Sequence, residues 1–168
     1  MFDQEITDLA AEVLDAARRR GWMIATAESC TGGLVSGALT AIAGSSDVLD
    51  RGFVTYSNDA KQQMLGVSSE SLGRFGAVSE PVAKEMAYGA LSESRADITL
   101  AITGIAGPGG GSAERPVGLV WFATATQGRT PDGFYRSYGD KGRSQVRRLS
   151  VVDGLMALLQ KCRGDLAD

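Results

Sequence analysis

The segment Trp22–Ile42, WMIATAESCTGGLVSGALTAI, decides the fold class. Its opening, Trp22–Ala27, is a short apolar run of the kind that forms a buried strand. Leu34–Ile42 reads as a helix. Between them lie Ser29, Cys30 and Thr31, followed by Gly32 and Gly33 at the helix head. Glycine costs roughly 1 kcal/mol against alanine inside a helix, so a pair at its start implies that something needs close access to the backbone. The junction is strand, turn, helix.

The same alternation continues on both sides. Before it, Ile6, Leu9, Ala10, Val13, Leu14 and Ala17 recur at helical spacing, and Gly21 ends that helix. After it, Phe53–Ser57 (FVTYS) is a second strand, followed by a polar segment containing Lys61. Ser79, Glu80 and Pro81 suit the first turn of a helix running to about Ser94. Ile98–Gly104 (ITLAITG) is a third buried strand, which empties into Gly104–Pro116, a loop too rich in glycine and proline for regular structure. Val117–Thr126 and Gly133–Gly139 are two further strands, the latter of antiparallel or edge type. A helix spans about Ser144–Leu159. With no repeat or linker, residues 1–168 read as one layered α/β domain. Ser29, Ser57 and Gly104 each fall at the carboxyl end of an expected strand. If those strands are parallel neighbours, their loops share one crevice, the usual ligand position in such sheets.

Composition narrows the function. The chain has 168 residues, 17 basic and 20 acidic side chains and a formal charge of −3, a balance that argues against a nucleic-acid partner. No apolar run is long enough for a bilayer, and the N-terminal segment carries acids early and arginines late, the reverse of a signal peptide. The expectation is a cytoplasmic protein with no membrane partner. Its two cysteines, Cys30 and Cys162, form no CxxC pair, and there is no histidine. That removes the Ser-His-Asp triad, the Cys-His dyad and the usual zinc sites, leaving carboxylates, lysine, tyrosine or a thiol for acid–base work.

Candidate site residues follow from placement. Backbone N–H groups near Thr31, Gly32 and Gly33, at a helix start, suit an anion or a developing oxyanion. Ser29 and Thr31 offer hydroxyls there, for capping or for catalysis, and one of them can cap while the other reacts. Cys30 is an alternative nucleophile, although a buried inert thiol is the commoner fate. Tyr56 and Lys61 follow the second strand, and a partly desolvated lysine is a reasonable base where histidine is lacking. Arg143 and Arg147 fall one turn apart near a helix start, where an anionic partner offsets their mutual repulsion. The loop from Gly104 matches neither a dinucleotide nor a P-loop fingerprint.

Together, TAESCTGG, VTYSNDAK, GAVSEPVAKEMA, TGIAGPGGGSAERPVGLVWFA and GRSQVRR resemble the successive blocks of the CinA C-terminal domain family, over roughly Thr26–Arg147. The chain is similar to the stand-alone form, without the additional N-terminal domain of longer members. Its GDKGRSQVR block carries two more residues than the family's usual pattern, and Arg115 stands where lysine is common. The resemblance implies a three-layer α/β/α sandwich with a mixed, mostly parallel sheet. It implies hydrolysis of nicotinamide mononucleotide to nicotinate mononucleotide and ammonia, without a metal or other cofactor. It carries the nucleophile role to Ser29 and the base role to Lys61, with Tyr56, Thr31, Thr103 and Gly104 lining the site. A mechanism consistent with it uses Lys61, directly or through Tyr56, to accept the Ser29 proton, and Arg143 or Arg147 to hold the phosphate. A non-catalytic nucleotide-binding module and an amidohydrolase of another small amide are the alternatives. The uncharged VGLVWFATAT strand suggests a homodimer.

Overall fold

The first helix, α1 (Gln4–Arg20), starts where the Asp3 carboxylate accepts the Ile6 N–H and stops where Gly21 adopts a left-handed conformation. The computed structural model describes residues 1–164. The chain continues through β1 (Ile24–Glu28), α2 (Leu34–Thr40), a single 3-10 turn, β2 (Leu49–Val54), α3 (Asn58–Leu65), α4 (Ser69–Phe75) and α5 (Glu80–Ser92). It closes with β3 (Ile98–Gly104), β4 (Leu119–Thr126), β5 (Asp132–Ser137) and α6 (Arg143–Cys162). Among the described residues, no helix is long and apolar enough to cross a membrane.

The strands lie in the order β2-β1-β3-β4-β5, with β1 parallel to both β2 and β3, and β4 antiparallel to both β3 and β5. Four strands therefore run in one direction and β4 alone is reversed, the mixed, mostly parallel sheet expected. The carboxyl ends of β2, β1 and β3 are adjacent, so the loops after them share one rim.

One expected strand needs correction. The second strand begins and ends earlier than Phe53–Ser57. Its register against β1 runs from Leu49 to Val54, and Tyr56 and Ser57 form the turn into α3. This is an edge strand carrying Asp50 and Arg51, so it lacks the apolar run that marks a buried one. The uncharged strand expected from Val117 is β4, which begins at Leu119 and lies between β3 and β5 in the sheet. The polar segment around Lys61 and the stretch Ser69–Phe75 are helices, each opened by a serine cap, Ser57 and Ser68.

Strand alternation sorts residues into two cores. Ile24, Ile98, Leu100, Ile102, Val120 and Phe122 pack with α1, α2 and α6. Ala25, Ala27, Ala101, Ala123 and Ala125 pack with Val82, Ala83, Met86 and Ala87 of α5 and with Leu65 of α3. Each large side chain so buried contributes about 1.5–3 kcal/mol. The alanine face lets α5 approach closely enough for the Thr99 hydroxyl to donate to the Ala87 carbonyl at 2.7 Å. Gly89 of α5 does the same for α3: a Cβ there would lie 1.9 Å from the Leu65 carbonyl oxygen. That contact seats the helix carrying Lys61.

Candidate active site

Alternation along β1 fixes the chemistry at its end. Ala25 and Ala27 face the α3–α5 layer and Ile24 the α1–α6 layer, so Glu28 and Ser29 diverge to opposite sides of the sheet. Two backbone bonds hold the turn: the Ser29 N–H donates to the Ile102 carbonyl and the Thr55 N–H to the Glu28 carbonyl, each at 2.9 Å.

Lys61 reaches Ser29 from α3. Ser57 caps that helix by accepting the Ala60 N–H at 3.0 Å, and one turn in, Lys61 turns inward with only 2% of its surface exposed. Its Nζ lies 3.1 Å from Ser29 Oγ and donates to the Thr55 carbonyl at 2.9 Å. No carboxylate among the described residues pairs with it. Desolvation lowers its pKa below the ordinary lysine value, which favours the neutral amine. A neutral amine has a lone pair to accept a hydroxyl proton.

Around this pair, the remaining expected residues distribute unevenly. Tyr56 does not join it: the ring is 62% exposed and the hydroxyl accepts from Arg143 Nη2 at 2.9 Å. The Lys61 amine contacts Ser29 Oγ directly, with no tyrosine between. Arg143, the first residue of α6, also donates to the Gly107 carbonyl at 3.0 Å, so it spans the β2–α3 turn and the glycine-rich loop. Arg147, one turn on, donates from Nε to the Cys30 carbonyl at 3.1 Å and from Nη2 to the Thr31 carbonyl at 3.4 Å, bracing the serine turn. Thr103 lies at the end of β3 with its hydroxyl donating to the Ala77 carbonyl at 2.9 Å. Gly104 packs against β4, where a Cβ would lie 2.7 Å from Val120 Cγ2.

Donors at the serine turn differ from the sequence expectation. The Gly32 N–H donates to the Ser29 carbonyl at 3.0 Å and the Gly33 N–H to the Glu28 carboxylate at 3.1 Å, so neither is free. The Cys30 and Thr31 N–H groups have no oxygen acceptor among the described residues. The Thr31 hydroxyl is buried and also unpartnered. Cys30 itself is buried, with its thiol pushed up to about 12 by desolvation, which keeps it protonated and unreactive near neutral pH.

Glu28 was missed by sequence reasoning. It is fully buried on the α2 side of the sheet, accepting N–H groups of Gly33, Val35 and Ser36. A lone acid ending an apolar strand, just before a helix start, was the available signal. Among the described residues no group of acidic and cysteine side chains is gathered to hold a metal ion.

The fold and site define a class: an α/β/α sandwich that presents a serine hydroxyl to a buried lysine amine at the carboxyl ends of parallel strands. Comparison with known proteins narrows this further. The CinA C-terminal domain profile matches residues 6–162, and the chain belongs to that family. It is 52% identical over 161 residues to the nicotinamide-nucleotide amidohydrolase PncC of Shigella flexneri, covering 96% of this chain and 97% of that one. The Escherichia coli K12 protein of the same name is likewise 52% identical, over 162 residues. A crystal structure of the competence/damage inducible protein CihA from Agrobacterium tumefaciens superposes with a TM-score of 0.92 at 53% identity, over 95% of this chain and 96% of that one. The competence damage-inducible protein A from Klebsiella pneumoniae superposes with a TM-score of 0.90 at 39% identity, over 95% and 98%.

Proposed function

We propose that this chain is a nicotinamide-nucleotide amidase, hydrolysing the carboxamide of nicotinamide mononucleotide to give nicotinate mononucleotide and ammonia. Near full-length similarity to proteins named for that activity supports the substrate. The observation that carries the mechanism is the 3.1 Å approach of a buried, carboxylate-free Lys61 amine to Ser29 Oγ.

In this reading Ser29 Oγ attacks the carboxamide carbon while its proton passes to the neutral Lys61 amine. The carbonyl π bond breaks and its electron pair becomes an oxyanion, held by the Cys30 and Thr31 N–H groups. One such donor is typically worth about 3–4 kcal/mol. The Lys61 ammonium returns the proton to the amide nitrogen, the C–N bond breaks and ammonia leaves. Water then attacks the acyl carbon, giving a proton to Lys61; as the carbonyl re-forms, the C–Oγ bond breaks, the Lys61 ammonium returns that proton to Ser29 Oγ, and the acid product departs as its carboxylate. The electron-poor pyridinium ring already activates the carbonyl.

Arg143 and the uncapped start of α6 are the phosphate site in this reading. Gly142 supplies no side-chain cap and the first turn holds no acid, so its backbone donors and the Arg143 guanidinium favour an anion.

The test is Ser29→Ala, with ammonia release from nicotinamide mononucleotide as the readout. Activity is expected to fall by about 10³-fold or more, since only binding and oxyanion donors remain. A variant within about tenfold of wild type removes the serine from the chemistry.

A further inference from the structure

The end of β1 holds a charge that the reaction outlined above does not use. Glu28 has no exposed surface and no cationic partner among the described residues, which is costly for a carboxylate. Its charge is met by hydrogen bonds alone. Oε2 accepts the Gly33 and Val35 N–H groups, each at 3.1 Å, while Oε1 accepts the Ser36 N–H at 2.9 Å and the Thr26 hydroxyl at 3.2 Å. Thr26 Oγ1 in turn lies 2.5 Å from Ser36 Oγ. The neighbouring strand makes room for this network. A Cβ on Gly52 would stand 2.1 Å from Ser36 Oγ and 3.1 Å from Thr26 Oγ1. Nothing but glycine fits there without displacing a hydroxyl.

We propose that Glu28 is a positioning residue for the Ser29 reaction, resting on the function proposed above. Its carboxylate ties the first turn of α2 back to the end of β1 on both sides of the five-residue turn that carries the nucleophile. Because Ser29 directly follows Glu28, the last residue of β1, and its N–H still bonds the Ile102 carbonyl of β3, an anchored Glu28 on one face fixes the direction of Ser29 toward Lys61 on the other. The same carboxylate absorbs the Gly33 donor. Among the described residues, the Cys30 and Thr31 N–H groups are left as the unengaged donors of the turn, directly after Ser29 in the chain. A neutral side chain here would let the turn relax, separating hydroxyl, amine and N–H groups that must act together. An ångström of such misplacement typically costs on the order of 100-fold in rate.

The experiment compares Glu28→Gln, Thr26→Val and Ser29→Ala, measuring kcat and KM for ammonia release from nicotinamide mononucleotide per mole of folded protein, with melting curves alongside. Glu28→Gln keeps the shape but places an amide where N–H donors converge. Its kcat is expected to fall about 100-fold while KM changes by less than about threefold. Thr26→Val removes one hydroxyl from the carboxylate and leaves its three N–H partners, so kcat is expected to fall about 3- to 10-fold at unchanged KM. A folded Glu28→Gln with kcat within about threefold of wild type overturns the proposal. If Glu28→Gln does not fold, Thr26→Val decides: a kcat equal to wild type overturns the proposal, and a lowered kcat at constant KM and melting temperature supports it. A merely structural role lowers the melting temperature and leaves kcat per folded molecule intact. An active Ser29→Ala would instead sink the serine mechanism itself.

Discussion

Replacing Lys61 with methionine separates catalysis from stability. Methionine is unbranched and nearly as long, so it fills the same channel through α3 without a donor or a lone pair. Wild-type Nζ holds Ser29 Oγ at 3.1 Å and the Thr55 carbonyl at 2.9 Å, and Lys61→Met loses both contacts. Losing the base typically lowers rate by about 10²–10⁴-fold. Stability responds to two opposed effects. A buried Thr55 carbonyl without a partner costs about 1–3 kcal/mol. Against it stands the removal of an amine whose charged form is disfavoured by burial. That second effect depends on pH. The folded-state pKa is lowered, so between it and the ordinary value of 10.5 the unfolded chain binds the extra proton. Wild-type stability therefore rises with pH through that window: the penalty is full below the folded pKa and gone above 10.5. Lys61→Met has no such slope. Urea melts of both proteins in steps from neutral to alkaline pH, paired with ammonia release, read both effects. A Lys61→Met protein keeping more than about a tenth of wild-type kcat/KM would refute the base role. A stability difference between the two proteins that stays flat with pH would refute the buried, charge-disfavouring environment.

Other substitutions probe the surroundings. Tyr56→Phe removes only the acceptor for Arg143, so kcat should stay within about threefold while KM rises by a few-fold, matching about 0.5–1.5 kcal/mol for one hydrogen bond; a large loss of kcat would restore a tyrosine relay. Cys30→Ala removes a thiol held protonated by burial and should leave kcat/KM within about threefold, with maleimide labelling of the wild type slow in the folded state. Gly89→Ala would press a methyl against the Leu65 carbonyl at 1.9 Å. It should cost about 1–3 kcal/mol by thermal melting and lower kcat, because α3 must retreat and carry Lys61 with it.

The sequence by itself determined the layered α/β class, the strand–turn–helix junction at Ser29 and most helices, because each is written in local periodicity and in turn residues. The apolar strands expected at Ile98–Gly104 and Val117–Thr126 and the helix opened by Ser79, Glu80 and Pro81 were legible for the same reason. The edge strand β2 was misplaced because its pairing with β1, and not its own hydropathy, sets where it begins and ends. Lys61 read as a residue in a polar segment. Its burial comes from α3 closing against α5 at Gly89, a contact that local pattern does not encode. Glu28 drew no reading from the sequence, and Tyr56 read as a candidate link between Ser29 and Lys61. Only the sheet's alternation, which sends Glu28 and Ser29 to opposite faces, and the reach of Arg143 across 87 residues of sequence assigned their partners. Local order fixes which residues are available. The packing of distant elements decides which of them are desolvated and which atoms they meet, and that sets their chemistry.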